Sequence, residues 1–292
     1  PELLLVLFVF SLVIAGEPHI LDTEIEMKIF FKKNENFVIL IFFLILFLIL
    51  FEGFLCRPLI GPSWYIPCHL DNPPLLCQYD FCKKSFFDNF WNENGFVENL
   101  QVLFLIFSIF FLIKAKNVYS ENKLINYFLI IKIIAIIYYL GEEISWGQHY
   151  FKWSSSDWFV SNNNQKETNI HNITNLFDQL PRTLVIIWCT FVVPTVLFFE
   201  KYYDFNKYIY RILCPNKKLI LFSLTLFFFI FPDLIVDKFA LHPMIESSAQ
   251  ERAYFYDMIT FNFLRLSELH EFIFCSYFLF YSLTISKNNE KF

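Results

Sequence analysis

Long apolar runs separated by shorter polar connections organise this chain. A helix that crosses a bilayer needs about 20 predominantly apolar residues, the number that covers the hydrocarbon thickness. Six runs approach that length: residues 37–56, 96–113, 127–146, 182–199, 219–236 and 264–285. The third is interrupted by Lys132. An earlier stretch, residues 3–15, is apolar but short. It reads as a signal-peptide core, with Val13-Ile14-Ala15-Gly16 as a cleavage region, or as a further helix, and the helix is the preferred reading. The expected fold is all-α, a polytopic transmembrane helical bundle of six spans, seven with the early helix. It forms a single integral membrane domain over residues 1–292.

Basic residues mark every second connection. Lys28, Lys32 and Lys33 precede the first run. Lys114, Lys116 and Lys123 lie between the second and third, and Lys201, Lys207, Arg211, Lys217 and Lys218 between the fourth and fifth. Lys287 and Lys291 follow the sixth. Positive charge is retained on the cytoplasmic side. This alternation puts the C-terminus in the cytoplasm and turns residues 57–95, 147–181 and 237–263 outward.

Composition narrows the class. Apolar residues make up 56% and charged residues 17%, the reverse of a disordered chain. The 23 Lys and Arg are outnumbered by 28 Asp and Glu, a net charge of −5, so no basic face for nucleic acid is expected. The six glycines build no dinucleotide fingerprint, no phosphate-binding loop and no nucleophile elbow.

The outer loop 57–95 contains Cys68, Cys77 and Cys82, with Cys56 at its edge. On an oxidising face these four thiols can form two disulfides in any of three pairings, with free thiols or metal ligation as alternatives. Cys189, Cys214 and Cys275 read as packing residues.

Ionisable residues in lipid are costly and mark functional sites. Here they gather at the expected outer level: Glu98, Glu142 and Glu143, Asp233 and Asp237, and Arg265, Glu268, His270 and Glu271. The densest string is Gly141-Glu142-Glu143-Ile144-Ser145-Trp146-Gly147-Gln148-His149. A helix through it would put Glu142, Trp146 and His149 on one face. Two adjacent carboxylates near lipid call for one to be neutral or paired with a cation or metal. The plain alternative is that they end the helix at the headgroups.

In the loop 147–181, the string Asn164-Gln165-Lys166-Glu167-Thr168-Asn169-Ile170-His171-Asn172 places Glu167 and His171 one helical turn apart. Carboxylate plus imidazole suits a divalent metal or an acid–base pair, and the plain alternative is a polar helix cap. Asn172-Ile173-Thr174 also fits a glycosylation sequon. In Arg265-Leu266-Ser267-Glu268-Leu269-His270-Glu271, a salt-bridged pair facing the bundle is the simplest reading. Phe274 stands where a zincin motif would require its second His.

The candidate catalytic groups are therefore Glu142, Glu143, Glu167 and His171, with Glu143, Glu167 and His171 as the metal set. Glu98, Ser145, Trp146, Gln148, His149, Gln165, Asn169, Asn172, Arg265, Glu268, His270 and Glu271 are candidate binding residues. A divalent metal is the expected cofactor. The expected partners are the lipid bilayer and a lipid or lipid-linked substrate.

The string from Gly141 to Gln148, followed by Asn164-Gln165, Glu167, Asn169 and His171-Asn172, resembles an uncharacterised family of bacterial multi-pass membrane proteins. Gly95-Phe96-Val97-Glu98 adds to the likeness, which covers roughly residues 90–180. It implies a bacterial cytoplasmic membrane and no particular activity. At the level of architecture alone, the chain is also comparable to the seven-helix membrane hydrolases that include alkaline ceramidases, although it lacks their H-x-x-x-H pair.

Three functions follow. The first is a metal-assisted hydrolase or transferase on a lipid-linked substrate, with a carboxylate moving the proton. The second is a non-enzymatic binding or assembly protein whose polar cluster is structural or grips a headgroup. The third is a transporter with a carboxylate relay, which the lack of an internal repeat disfavours.

Overall fold

The computed structural model describes residues 35–56, 95–163, 166–170, 173–200, 212–238 and 266–287. Among these, every regular element is helical. In chain order they are α1 (Glu35–Cys56), α2 (Phe96–Val118) and α3 (Lys123–Glu143). A single turn, Ser145–Gly147, leads to the short α4 (Gln148–Phe151) and α5 (Asp157–Asn162). Then come α6 (Asn175–Ile187), which runs through a widened turn at Trp188–Val192 into α7 (Val193–Glu200), and finally α8 (Leu219–Lys238) and α9 (Leu266–Lys287).

Four helical stretches are long and apolar enough to cross a membrane: Phe96–Val118, Lys123–Glu143, Leu180–Phe199 and Glu268–Lys287. The other two expected spans are helices as well, of 22 and 20 residues. Within them the apolar stretches Val38–Leu50 and Leu219–Phe231 are shorter. The early segment 3–15 and the cysteines at 68, 77 and 82 lie outside the described residues.

Helix α9 is the axis of the bundle. It packs most extensively on α2, then on α8 and α1. Nearly all its side chains from Leu269 onward are buried. Aromatic rings fill the junction. Phe42 of α1 stacks on Phe272 of α9 at 5.7 Å and meets Phe222 of α8 at 4.6 Å. Phe222 in turn contacts Phe280. In water such burial would be driven by exclusion of solvent. Among lipid tails that drive is absent, so close packing and internally satisfied polar groups hold helices together. The hydroxyls of Ser276 and Thr284 accordingly donate to carbonyls of their own helix, those of Phe272 and Phe280, each at 2.8 Å.

Two local rules explain helix shape. Asn122 caps α3 by accepting from the Ile125 backbone N–H at 3.2 Å. The widened turn precedes Pro194, whose ring would clash with the Thr190 carbonyl in a regular helix.

Polar groups mark both ends of the bundle. At one end Glu35, at the start of α1, accepts from Asn216 at 2.8 Å and lies 3.6 Å from Lys218 and 3.9 Å from Lys287. The start of α1, the entry to α8 and the end of α9 are thus brought together. The alternation of basic connections requires these same segments to share a side. At the opposite end, the start of α2, the end of α3 and the start of α9 converge on the site.

Candidate functional site

The regular helix α3 stops at Glu143. The expected face joining Glu142, Trp146 and His149 is therefore not formed as a continuous helix. Ser145, Trp146 and Gly147 instead adopt left-handed backbone, with φ of 45°, 54° and 100°. Such angles cost L-residues roughly 1–2 kcal/mol each, and Gly very little. Side-chain bonds hold the turn.

Six of the eight positions of the Gly141–Gln148 string have a task in this turn. Gly141 is the seat of Trp146: a Cβ there would meet the indole at 2.9 Å. The Trp146 indole N–H donates to Glu142 Oε1 at 2.8 Å. Glu142, 4% exposed, accepts at its other oxygen from the Ile170 backbone N–H at 2.7 Å. Ser145, fully buried, donates to Glu167 Oε2 at 2.7 Å. Gly147 supplies the positive φ, and a Cβ on it would strike Trp153 at 2.9 Å. Gln148 accepts from the Thr168 backbone N–H at 2.7 Å and donates to Ser155 at 3.0 Å.

The second string closes the clasp from the other side. Asn169, 1% exposed, donates to both Ser145 Oγ (3.0 Å) and Glu167 Oε2 (2.8 Å). Asn163 donates to the side-chain oxygen of Asn169 at 2.7 Å and to its carbonyl at 2.8 Å. Ser155 donates to the Lys166 carbonyl at 2.7 Å. Residues 166–170 form bends, not a helical turn, and His171, the expected partner of Glu167, lies outside the described residues. Ser155, Asn163 and Thr168 belong to neither singled-out set of residues. Only their partners reveal them.

Glu143 faces other company. Its electrostatic neighbours are, in order of strength, Glu271, Glu268, Glu98 and Arg182. Arg182 of α6 pairs with Glu271 at 2.7 Å. Gln101 of α2 donates to the Glu268 carbonyl at 3.3 Å, tying α2 to α9. His270 is buried, and its Nε2 has no hydrogen-bond partner among the described residues. Glu143 itself is half-buried and makes no hydrogen bond or ion pair among the described residues.

The two carboxylate settings are bridged by Tyr150, which donates to Asn99 at 2.9 Å, beside Glu98. Burial, and secondarily the charge of Glu98, push its phenol up to about 12. Outside the clasp, Phe151, Trp153 and Trp158 are exposed, with Phe151 stacked on Trp153 at 5.8 Å.

The structure therefore brings Glu142, Ser145, Trp146, Gln148, Glu167 and Asn169 together, and separately Glu98, Glu143, Glu268 and Glu271. Gln165, His171, Asn172 and Arg265 lie outside the described residues, as does the side chain of His149. Of the expected metal set, Glu167 accepts from Ser145 and Asn169, Glu143 makes no hydrogen bond among the described residues, and His171 lies outside them. No group of three or more His, Cys, Asp or Glu among the described residues is arranged to hold a metal. No family model, curated protein or solved structure matches the chain.

Proposed function

We propose that the chain is a non-enzymatic membrane-embedded binding protein whose site is at Glu143. Its ligand is a cationic group at headgroup depth, such as the protonated amine of a phospholipid. In this reading the bundle has six spans, or seven with residues 3–15. It lies in a bacterial cytoplasmic membrane with its C-terminus in the cytoplasm and the polar assembly at the outer face. The observation that carries it is the division of labour between adjacent carboxylates. Glu142 is held on both oxygens by the loop, whereas Glu143 makes no hydrogen bond among the described residues and has Glu271, Glu268, Glu98 and Arg182 as its charged neighbours. A satisfied buried network is a structural device. A carboxylate left open at the membrane edge is a binding group.

The test is lipid retention by native mass spectrometry of the purified protein. Phosphatidylethanolamine should be retained over phosphatidylglycerol, and Glu143→Gln should abolish the preference. Equal retention of the two lipids by the unaltered protein would sink the proposal.

One observation favours the enzymatic reading. The Ser145 hydroxyl donates to a carboxylate that Asn169 also holds, on left-handed backbone. Strained polar residues of this kind concentrate at functional sites. A hydrolase would turn over a lipid-linked substrate and lose turnover in Ser145→Ala without loss of fold.

A further inference from the structure

Lys132 sits in the middle of α3, about 14 Å from its first residue at the usual helical rise. An ammonium at that depth is costly and ordinarily has a carboxylate partner. Lys132 has none: it makes no hydrogen bond or ion pair among the described residues. Aromatic rings surround it instead. Its Nζ stands 3.7 Å from the centre of the Tyr281 ring, 4.2 Å from Trp188 and 5.1 Å from Phe128. Ring faces stabilise a cation but supply no counter-charge.

The surroundings repeat this one-sided chemistry. Trp188 N–H and Tyr277 O–H are both buried without a hydrogen-bond partner among the described residues. Tyr277 is fully buried and stacks at 6.3 Å on Tyr281, one of the rings around Lys132. Trp188 opens the widened turn before Pro194. An unmade bond at a buried polar group is costly, so such groups together call for an acceptor. Lys and Trp can only donate, and Tyr readily does.

We propose that Lys132, Trp188 and Tyr277 form an intramembrane site for the carboxylate of a long-chain fatty acid. The carboxylate supplies both the missing charge and the missing acceptor, and the aromatic walls suit an acyl chain.

The experiment uses the full chain in lipid nanodiscs and a photoreactive diazirine fatty acid, with its methyl ester as control. Labelled peptides are mapped by mass spectrometry. The acid should label α3 and the Trp188–Val192 turn saturably, and palmitate should compete while methyl palmitate should not. Lys132→Met should reduce labelling about tenfold, as expected for losing a charged hydrogen bond, and Tyr277→Phe by a smaller factor. Equal labelling by acid and ester, or unchanged labelling in Lys132→Met, overturns the proposal. So does displacement by a neutral short-chain quinone better than by palmitate, since that identifies a carbonyl ligand. The acid–ester comparison is made on the unaltered protein, so it decides the matter even if a variant fails to fold.

Discussion

Glu142 and Glu143 are consecutive, yet they belong to different structures. Glu142 accepts from Trp146 and from the Ile170 backbone, within the loop clasp. Glu143 lies among Glu271, Glu268 and Glu98, within the helix bundle. The end of α3 falls between the two roles, and adjacent residues on a helix end project about 100° apart. The clasp and the bundle can therefore be perturbed separately.

The bond from Ser145 to Glu167 is the centre of the clasp, and Asn169 touches both members. Ser145→Ala and Glu167→Gln should each lower stability by about 1–3 kcal/mol, because a buried partner is left unsatisfied. In a double-mutant cycle the two losses should be non-additive by at least about 0.5 kcal/mol. Chemical unfolding in detergent measures both. Additive losses would show that the bond does not couple them.

Gly141 tests the indole seat. A methyl group at this position meets Trp146 at 2.9 Å, and the ring must shift away from Glu142. Gly141→Ala should cost about 1–3 kcal/mol by overpacking. Trp146→Ala should suppress most of that cost, since the clash is then absent. Protease sensitivity of residues 148–170 should rise in Gly141→Ala and serves as the readout.

Arg182 and Glu271 join α6 to α9 at 2.7 Å, both largely shielded. Removing one member of a buried pair costs about 3–5 kcal/mol, because the other charge is stranded. Partial exposure places Arg182→Met at the low end of that range. The double variant Arg182→Met with Glu271→Gln should recover part of the loss. Thermal unfolding of the two variants side by side decides it, and no recovery would mean that Arg182 acts through other neighbours.

Tyr150 gives a pH dependence. Its phenol is pushed up to about 12, while the unfolded chain releases that proton near 10. The folded protein thus holds the proton more tightly. The stability this contributes is complete below pH 10 and is lost as pH rises from 10 to 12. Tyr150→Phe should flatten the alkaline fall in stability over that window. An identical pH profile in the variant would show that the Tyr150–Asn99 bond does not carry the effect.

The sequence by itself determined the class and the ends. Unbroken apolar runs can only be satisfied as helices in lipid, because every backbone group must find its partner within the segment. The alternating lysines named the segments that share a side, and Glu35, Lys218 and Lys287 do meet at one end of the bundle. The strings around Glu142 and Glu167 singled out most of the clasp. Their partners were not legible, because the chain between them abandons helical periodicity at Ser145 and again at Lys166, where φ is 60°. Spacing arguments hold only while the backbone repeats. Tertiary structure alone decided that Glu142 turns to Ile170 while Glu143 turns to α9, and that Arg182 pairs with Glu271. The same holds for Lys132, which reads in sequence as a break in an apolar run. Rings from α9 and from the turn before Pro194 make it a caged ammonium, and those rings are more than 50 residues away along the chain.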